Sequence, residues 1–357
     1  MNHADPTAEA TTIARVWEML DILGDAVVVL GHHYQRDEVI QFADFRGDSH
    51  KLCKDAAQTA AKYIIFAGVH FMAESAAILG RADQTVILPD LDAGCSMADM
   101  ANLEQVQQAW DSIDTILSDD ANIVPITYMN SSADLKGFVG QHGGLVCTSS
   151  NAKGALKWAF ERCERAFFFP DQHLGRNTGK AMGIPLEQMV LWDPFRPSGD
   201  LSEEELRNAR IILWDGFCSV HQEFLPKHVK MWRERDDEVN VIVHPECMMQ
   251  VVDQADYVGS TDYIIKTIEA APPGSKWVVG TEVHLVNRLK SEHPDKMIAL
   301  LSPTMCACVT MGRIRVNKLA EVLEALVEGR VMNRITVPDE VARCARIALD
   351  RMLAIPN

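Results

Sequence analysis

Ten short β-branched or aromatic runs punctuate the chain: AVVVL (26–30), YIIFA (63–67), TVIL (85–88), IVPIT (123–127), LVCT (145–148), AFFF (166–169), IILW (211–214), VNVIV (239–243), KWVV (276–279) and MIALL (297–301). They are near-continuously apolar rather than alternating, and stretches with helical apolar spacing separate them. A strand that is apolar on both faces has to be covered on both faces, and a helical crossover between successive strands leaves them parallel. The class is therefore α/β with parallel sheets.

Polar residues follow the ends of these strands in an order that recurs three times. A first strand leads to His32-His33-Tyr34, to Tyr128-Met129-Asn130 and to His244-Pro245-Glu246. A second leads to Glu74-Ser75, to Thr148-Ser149-Ser150 and to Ser260-Thr261, each before a helical pattern that the hydroxyl could cap. A third leads to PDLDAGC (89–95), PDQHLGRN (170–177) and GTEVHLVNRL (280–289). The repeat predicts three similar α/β units of domain size, spanning 1–100 with 305–357, 101–195 and 196–304. Helical patterns at 316–329 and 338–355, the latter opened by Pro338 and Asp339, are expected to pack on the first unit. Ligands bind beyond the carboxyl ends of strands in open α/β sheets, so three such edges would enclose one central cleft.

A formal charge of -16 over 357 residues argues against a nucleic-acid footprint or a polybasic membrane patch. An anionic substrate would need local help from helix N-termini and a metal. Eighteen uncharged apolar residues never occur in succession, and the N-terminal stretch lacks a basic start followed by an apolar run, so a cytoplasmic protein is expected.

Nine cysteines, an odd number, do not suit a disulfide framework and leave ligation, catalysis or burial. Cys95, Cys218, Cys306 and Cys308 fall at the junctions between the expected units; Cys53, Cys147, Cys163, Cys247 and Cys344 sit within strands, helices or apolar surroundings. Zinc sites usually bring Cys-x-x-Cys pairs, and the chain has none. Single thiolates from distant junctions suit an iron–sulfur cluster with one open iron, although buried cysteine is equally a small hydrophobe.

The motifs GHHYQ (31–35), FRGDS (45–49), DAGCSMAD around Cys95, TYMNSSADLKG (127–137), CTSSNA (147–152), PDQHLGRN, HPE (244–246), GST (259–261) and GTE (280–282) occur in an order that resembles the quinolinate synthase family. The resemblance covers residues 31–311. It implies three α/β/α units about a pseudo-threefold axis with the active site at their centre. It implies condensation of iminoaspartate with dihydroxyacetone phosphate to quinolinate, losing phosphate and water, on the route to NAD. It also implies a 4Fe-4S cluster on Cys95, Cys218 and Cys308; the last choice rests on the match of Cys308-Val309-Thr310-Met311 to the family's Cys-x-x-Met, which makes Cys306 a neighbour. Two positions depart from the family pattern: His33, where Asn is frequent, and Gly312, where a lysine often follows the methionine.

From that resemblance Glu246 is expected as principal general acid/base, with His32, Tyr34 and His244 beside it and Tyr128 and Asn130 orienting intermediates. Ser49, Ser149, Ser260 and Thr261 would hold carboxylates and phosphate at helix N-termini. His32, Tyr128, Asn130, His244 and Glu246 would also touch substrate. His70, His142, His173, His221 and His284 are read as structural, with His173 and His221 the foremost exceptions. The enzyme that supplies iminoaspartate is the implied protein partner. Another iron–sulfur (de)hydratase would share the cluster, and a redox sensor using Cys306 and Cys308 would not need so many polar residues at strand ends.

Overall fold

A computed structural model describes residues 6–118, 122–304 and 306–355; residue 305, where an expected boundary falls, lies outside them. The chain forms two compact units, Met1–Cys95 with Ala307–Val337, and Ser96–Cys306 with Pro338–Asn357.

The first unit holds one sheet made of β1 (Val27–His32), β2 (Phe45–Gly47), β3 (Tyr63–Ala67) and β4 (Thr85–Ile87), in the order β2-β1-β3-β4. The second holds two. One contains β5 (Ile123–Tyr128), β6 (Leu145–Cys147), β7 (Arg165–Phe169), β8 (Met189–Trp192) and β9 (Ile211–Trp214), in the order β6-β5-β7-β9-β8. The other contains β10 (Asn240–Val243), β11 (Tyr257–Val258), β12 (Lys276–Gly280) and β13 (Met297–Leu300), in the order β11-β10-β12-β13. Every pairing within these sheets is parallel, and helices flank them. All ten expected strands are present. The additional ones, β2, β8 and β11, are edge strands; β2 and β11 are only three and two residues long, too short for a period to declare itself.

Three sheets that share the order second-first-third from one edge explain the recurring strand ends. In the first sheet the Val29 N–H donates to Asp44 Oδ2 at 2.8 Å, and in the third Val241 donates to Asp256 Oδ2 at 2.7 Å. The corresponding residue of the second sheet is Pro125, three residues before Tyr128 as Val29 is before His32 and Val241 before His244. Proline has no N–H to offer, and Gly144 stands where the aspartate would be, close against the Pro125 carbonyl. The same alignment corrects the expected register of the first unit. The partners of Thr148 and Ser260 are Asp48 and Ser49 beyond β2, not Glu74 and Ser75, because without β2 the second signature falls one strand late. Ser75 lies inside the helix His70–Leu79 and donates back to the Phe71 carbonyl at 2.8 Å, so it caps nothing.

The two C-terminal helices part company. Val316–Val327 packs on Pro6–Leu23 in the first unit, as expected. Asp339–Ala354 belongs instead to the second unit, which corrects the expectation that both pack on the first. Its buried stripe, Cys344, Ala345, Ala348, Leu349 and Met352, lies along the helix Ala133–Gln141. Small residues permit the approach: a Cβ added at Gly140 would overlap the Cys344 carbonyl, whereas one at Gly137 would make ordinary contact with Val341 at 3.5 Å. No helix among the described residues is long and apolar enough to cross a membrane.

This contact makes two neighbouring glycines behave oppositely. Gly140→Ala should destabilise by about 1–3 kcal/mol through overpacking, whereas Gly137→Ala should be neutral or stabilising by up to about 1 kcal/mol through helix propensity. Urea denaturation of the two variants checks this; equal midpoints would show that the helices do not meet in this way.

Candidate active site

Each sheet ends its first strand in the same device. In the third sheet the Cys247 N–H closes a turn on the His244 carbonyl at 3.0 Å, with Pro245, whose fixed φ suits the second turn position, before Glu246. In the first sheet Gln35 N–H closes on His32 at 2.9 Å and presents Tyr34. In the second, the Ser131 hydroxyl closes on the Tyr128 carbonyl at 2.8 Å and presents Asn130. The paired residues His32/Tyr34, Tyr128/Asn130 and His244/Glu246 are thus equivalent places on a repeated scaffold.

The turns also orient two imidazoles. Tyr34 N–H donates to His32 Nδ1 at 3.1 Å, and Glu246 N–H lies 3.4 Å from His244 Nδ1. Whenever such a ring is neutral and its Nδ1 accepts, its proton sits on Nε2. His32 and His244 are both buried, and the rings of His32 and Tyr34 meet edge to face at 4.8 Å.

Within the second unit the ends of β5 and β10 come together at Glu246, whose carboxylate is 3% exposed. His221 Nδ1 lies 2.7 Å from Oε2, His244 Nδ1 lies 3.7 Å from it, and the Tyr128 hydroxyl donates to the carboxylate. The two imidazoles stack at 4.6 Å, and His221 Nε2 reaches Thr281 Oγ1 at 3.4 Å. Burial alone would push Glu246 upward, but the charges of His244 and His221 and the hydrogen bonds from His221 and Tyr128 outweigh it and hold the carboxyl at about 2. Glu246 is a carboxylate at neutral pH.

Asp171 is its counterpart. It caps the helix Gln172–Ala181, accepting from Leu174 N–H at 2.6 Å and from the backbone N–H groups of His173 and Cys218. Complete burial and the neighbouring Glu246 charge nevertheless hold it well above the usual carboxylate range. The two neighbouring carboxyls are thus pushed in opposite directions. His173, held down to about 4 by burial and by Arg176, remains neutral.

Cys218, His221 and Glu246 offer ligand atoms within 4.8 Å of one another. None of the nine cysteines forms a disulfide. Cys95, Cys218 and Cys308 are half-buried in loops beyond strand ends, whereas Cys53, Cys147, Cys247, Cys306 and Cys344 are buried. Cys163, the remaining half-buried thiol, lies just past the helix Ala152–Phe160, which ends earlier than its sequence suggests. Cys306 donates to the Thr304 carbonyl at 3.4 Å and burial pushes its thiol up, while Cys308 Sγ lies 3.6 Å from Thr310 Oγ1. In the first unit Arg313 pairs with Asp92 at 2.8 Å and Asp90 at 3.4 Å, tying the turn that follows Cys308 to the loop that carries Cys95. Gln35 Nε2 reaches the Met311 carbonyl at 3.4 Å, and Arg36 stands beside Gly312. The lysine absent at position 312 thus has an arginine near its place.

Ser49, Ser149 and Ser260 occupy equivalent places, each two residues beyond the edge strand of its sheet. Their local roles differ. Ser260 caps the helix Thr261–Ala270 through Tyr263 N–H at 3.4 Å, and Thr261 is buried behind it. Ser49 is the first helical residue behind its cap Asp48, and Ser149 stands outside a helix whose N-cap position belongs to Asn151. Neither Ser49 nor Ser149 is therefore the cap. Asn130 Oδ1, Asp171 Oδ2 and His173 Nδ1 are buried without a hydrogen-bond partner among the described residues. Asp171 and Thr281 were not singled out from sequence; each lies inside a quoted motif, PDQHLGRN or GTE, and only the fold shows that its side chain serves the site.

The arrangement makes a stability prediction. Tyr128→Phe, which removes one donor from a buried carboxylate, should lower unfolding free energy by about 1.5–3 kcal/mol. An unchanged denaturation midpoint would show that the phenol does not bind Glu246.

Comparison with known proteins gives the chain its relatives. A family model described as "Quinolinate synthetase A protein" matches residues 18–354. The quinolinate synthase of Herpetosiphon aurantiacus is 57% identical over 335 residues, covering 93% of this chain and 89% of that protein. Those of Corynebacterium glutamicum (56% over 342 residues, 96% and 86%) and Streptomyces coelicolor (57% over 348 residues, 96% and 88%) are similarly close. With the fold, the strand-end turns and these matches agreeing over nearly its whole length, the chain belongs to the quinolinate synthase family of enzymes.

Proposed function

We propose that this chain condenses iminoaspartate with dihydroxyacetone phosphate to quinolinate in the cytoplasm, releasing phosphate and water, as a step of NAD biosynthesis. The observation that carries the reading is the buried, ionised Glu246 held by His221, His244 and Tyr128. Forming the carbon–carbon bond and the imine, isomerising and dehydrating all move protons without net oxidation or reduction. The site supplies groups for each kind of transfer.

Glu246, a carboxylate at rest, accepts a proton at Oε2 and returns it, with His221 Nδ1 as its nearest exchange partner. His32 and His244 offer Nε2–H as donors to developing negative charge. Tyr128 steadies the Glu246 charge, and Tyr34 and Asn130, presented by equivalent turns, orient the intermediates. Ser49, Ser149, Ser260 and Thr261 bind carboxylate and phosphate oxygens through hydroxyls and nearby helix N–H groups, which offsets the net charge of -16 locally.

Cys95, Cys218 and Cys308 would hold a 4Fe-4S cluster. Three half-buried thiols in strand-end loops fit a soft iron–sulfur group, and Cys218 stands among His221 and Glu246 where substrate would sit. When bound, the cluster supplies a Lewis acid at an iron that no cysteine occupies, making hydroxide easier to expel. The enzyme that produces unstable iminoaspartate is the partner this chemistry requires. We divide the chain functionally as 1–100 with 305–337, 101–195 with 338–357, and 196–304, the last of which also carries β9 of the second sheet.

Two sets of variants test the proposal. Glu246→Gln should lower quinolinate formation by about 10²–10⁴-fold, the usual worth of a general acid/base, with iron content unchanged. Cys95→Ala, Cys218→Ala and Cys308→Ala should each lose iron and activity together, whereas Cys306→Ala should keep both. Full turnover in Glu246→Gln, or iron lost only from Cys306→Ala, would contradict the assignments.

A further inference from the structure

Glu246 stands between two carbonyls that a single side chain holds. Asn177 Nδ2 donates to the Pro245 carbonyl at 2.8 Å and to the Cys247 carbonyl at 2.8 Å, one on each side of Glu246. Asn177 is itself buried, and a planar amide nitrogen carries two N–H donors in fixed directions, so both bonds form at once. The element behind the clamp is fixed in turn. Its helix, Gln172–Ala181, is capped by Asp171 and lies directly on β7, β8 and β9, with Gly175 against Phe168 and Leu213 and Gly179 against Met189 and Ile211. The clamp therefore ties the Glu246 turn of the third sheet to a rigid element of the second, the sheet that also carries Tyr128.

We infer that Asn177 is a positioning residue that sets the Glu246 carboxylate in reach of His221 and Tyr128 by gripping the peptide groups on either side of it. Asn177 does not touch the reacting atoms; it acts through Glu246, and the inference rests on the proton-transfer role proposed for that residue. Both bonds need N–H donors. Asn177→Asp keeps the shape and turns two donations into oxygen facing oxygen, and Asn177→Leu keeps the bulk and removes the polar atoms.

The test uses anaerobically prepared holoenzyme. A misplacement of about 1 Å costs about a hundredfold in rate, so Asn177→Leu and Asn177→Asp should each lower kcat by about that factor. KM for dihydroxyacetone phosphate should stay within about threefold, because uniform substrate binding is untouched. Iron content and the visible absorption of the cluster should not change. The decisive readout is the same change made in Glu246→Gln: a residue that acts through Glu246 should lower the residual rate there by less than about twofold, since coupled sites do not add. Losses that multiply across the two backgrounds, or Asn177→Leu and Asn177→Asp with wild-type kcat, would overturn the inference. Wild-type turnover in Glu246→Gln alone would overturn the proton-transfer reading and this inference with it, whatever the Asn177 variants do. Should Asn177→Leu fail to fold, Asn177→Ser, smaller and with one donor, should show an intermediate loss of kcat, and its absence would count against the clamp.

Discussion

One buried negative charge organises the second unit. A carboxylate taken out of water is costly unless opposite charge and hydrogen bonds replace its hydration. Glu246 meets that requirement with His221 at 2.7 Å, His244 at 3.7 Å and the Tyr128 hydroxyl, three groups from three chain segments. Each comes from a place that only the folded sheets bring near: the end of β5, the end of β10 and the short helix Ser219–Gln222 after Cys218. Burial and the neighbouring Glu246 charge push Asp171 in the opposite direction, well above the usual carboxylate range.

The scaffold beneath is repetition with local substitution. Three parallel sheets place the same turn after the same strand, and the turn decides which side chain is presented. Where a backbone N–H closes the turn, the third residue is Tyr34 or Glu246; where the Ser131 hydroxyl closes it, the residue is Asn130. Equivalent positions on the repeated fold have thus been given a phenol, an amide and a carboxylate. The serines beyond the edge strands repeat as well, but of the three only Ser260 caps its helix; Ser49 lies behind its cap Asp48, and Ser149 precedes Asn151, whose side chain accepts from Thr148 N–H and makes no capping bond.

Much of this was legible in the amino-acid sequence. Continuous apolar runs revealed ten strands because burial on both faces leaves a direct compositional trace. The turns His244-Pro245-Glu246 and His32-His33-Tyr34 stood out because polar residues immediately follow such runs. What escaped were features without local signals. β11 is two exposed residues, and β2, hidden for the same reason, shifted the expected register of the first unit by one strand. The docking of Asp339–Ala354 on Ala133–Gln141 depends on Gly140 meeting a carbonyl two hundred positions away, which no periodicity encodes. Asp171 and Asn177 lay inside a quoted motif, yet their roles follow only from seeing that one caps a helix beside Cys218 and the other spans Glu246. Cys95, Cys218 and Cys308 were singled out by the family pattern, not by spacing, and their half-burial is visible only in the fold.

The central claim is that this scaffold joins two small anionic substrates with the help of an iron–sulfur centre. Its most direct test is anaerobic purification with iron and sulfide analysis, followed by a quinolinate assay with dihydroxyacetone phosphate and freshly generated iminoaspartate. The account predicts about four irons and four sulfides per chain, with quinolinate and phosphate formed in equal amounts. A cluster-bearing protein that forms no quinolinate, or quinolinate formed at full rate by protein holding no iron, would contradict it.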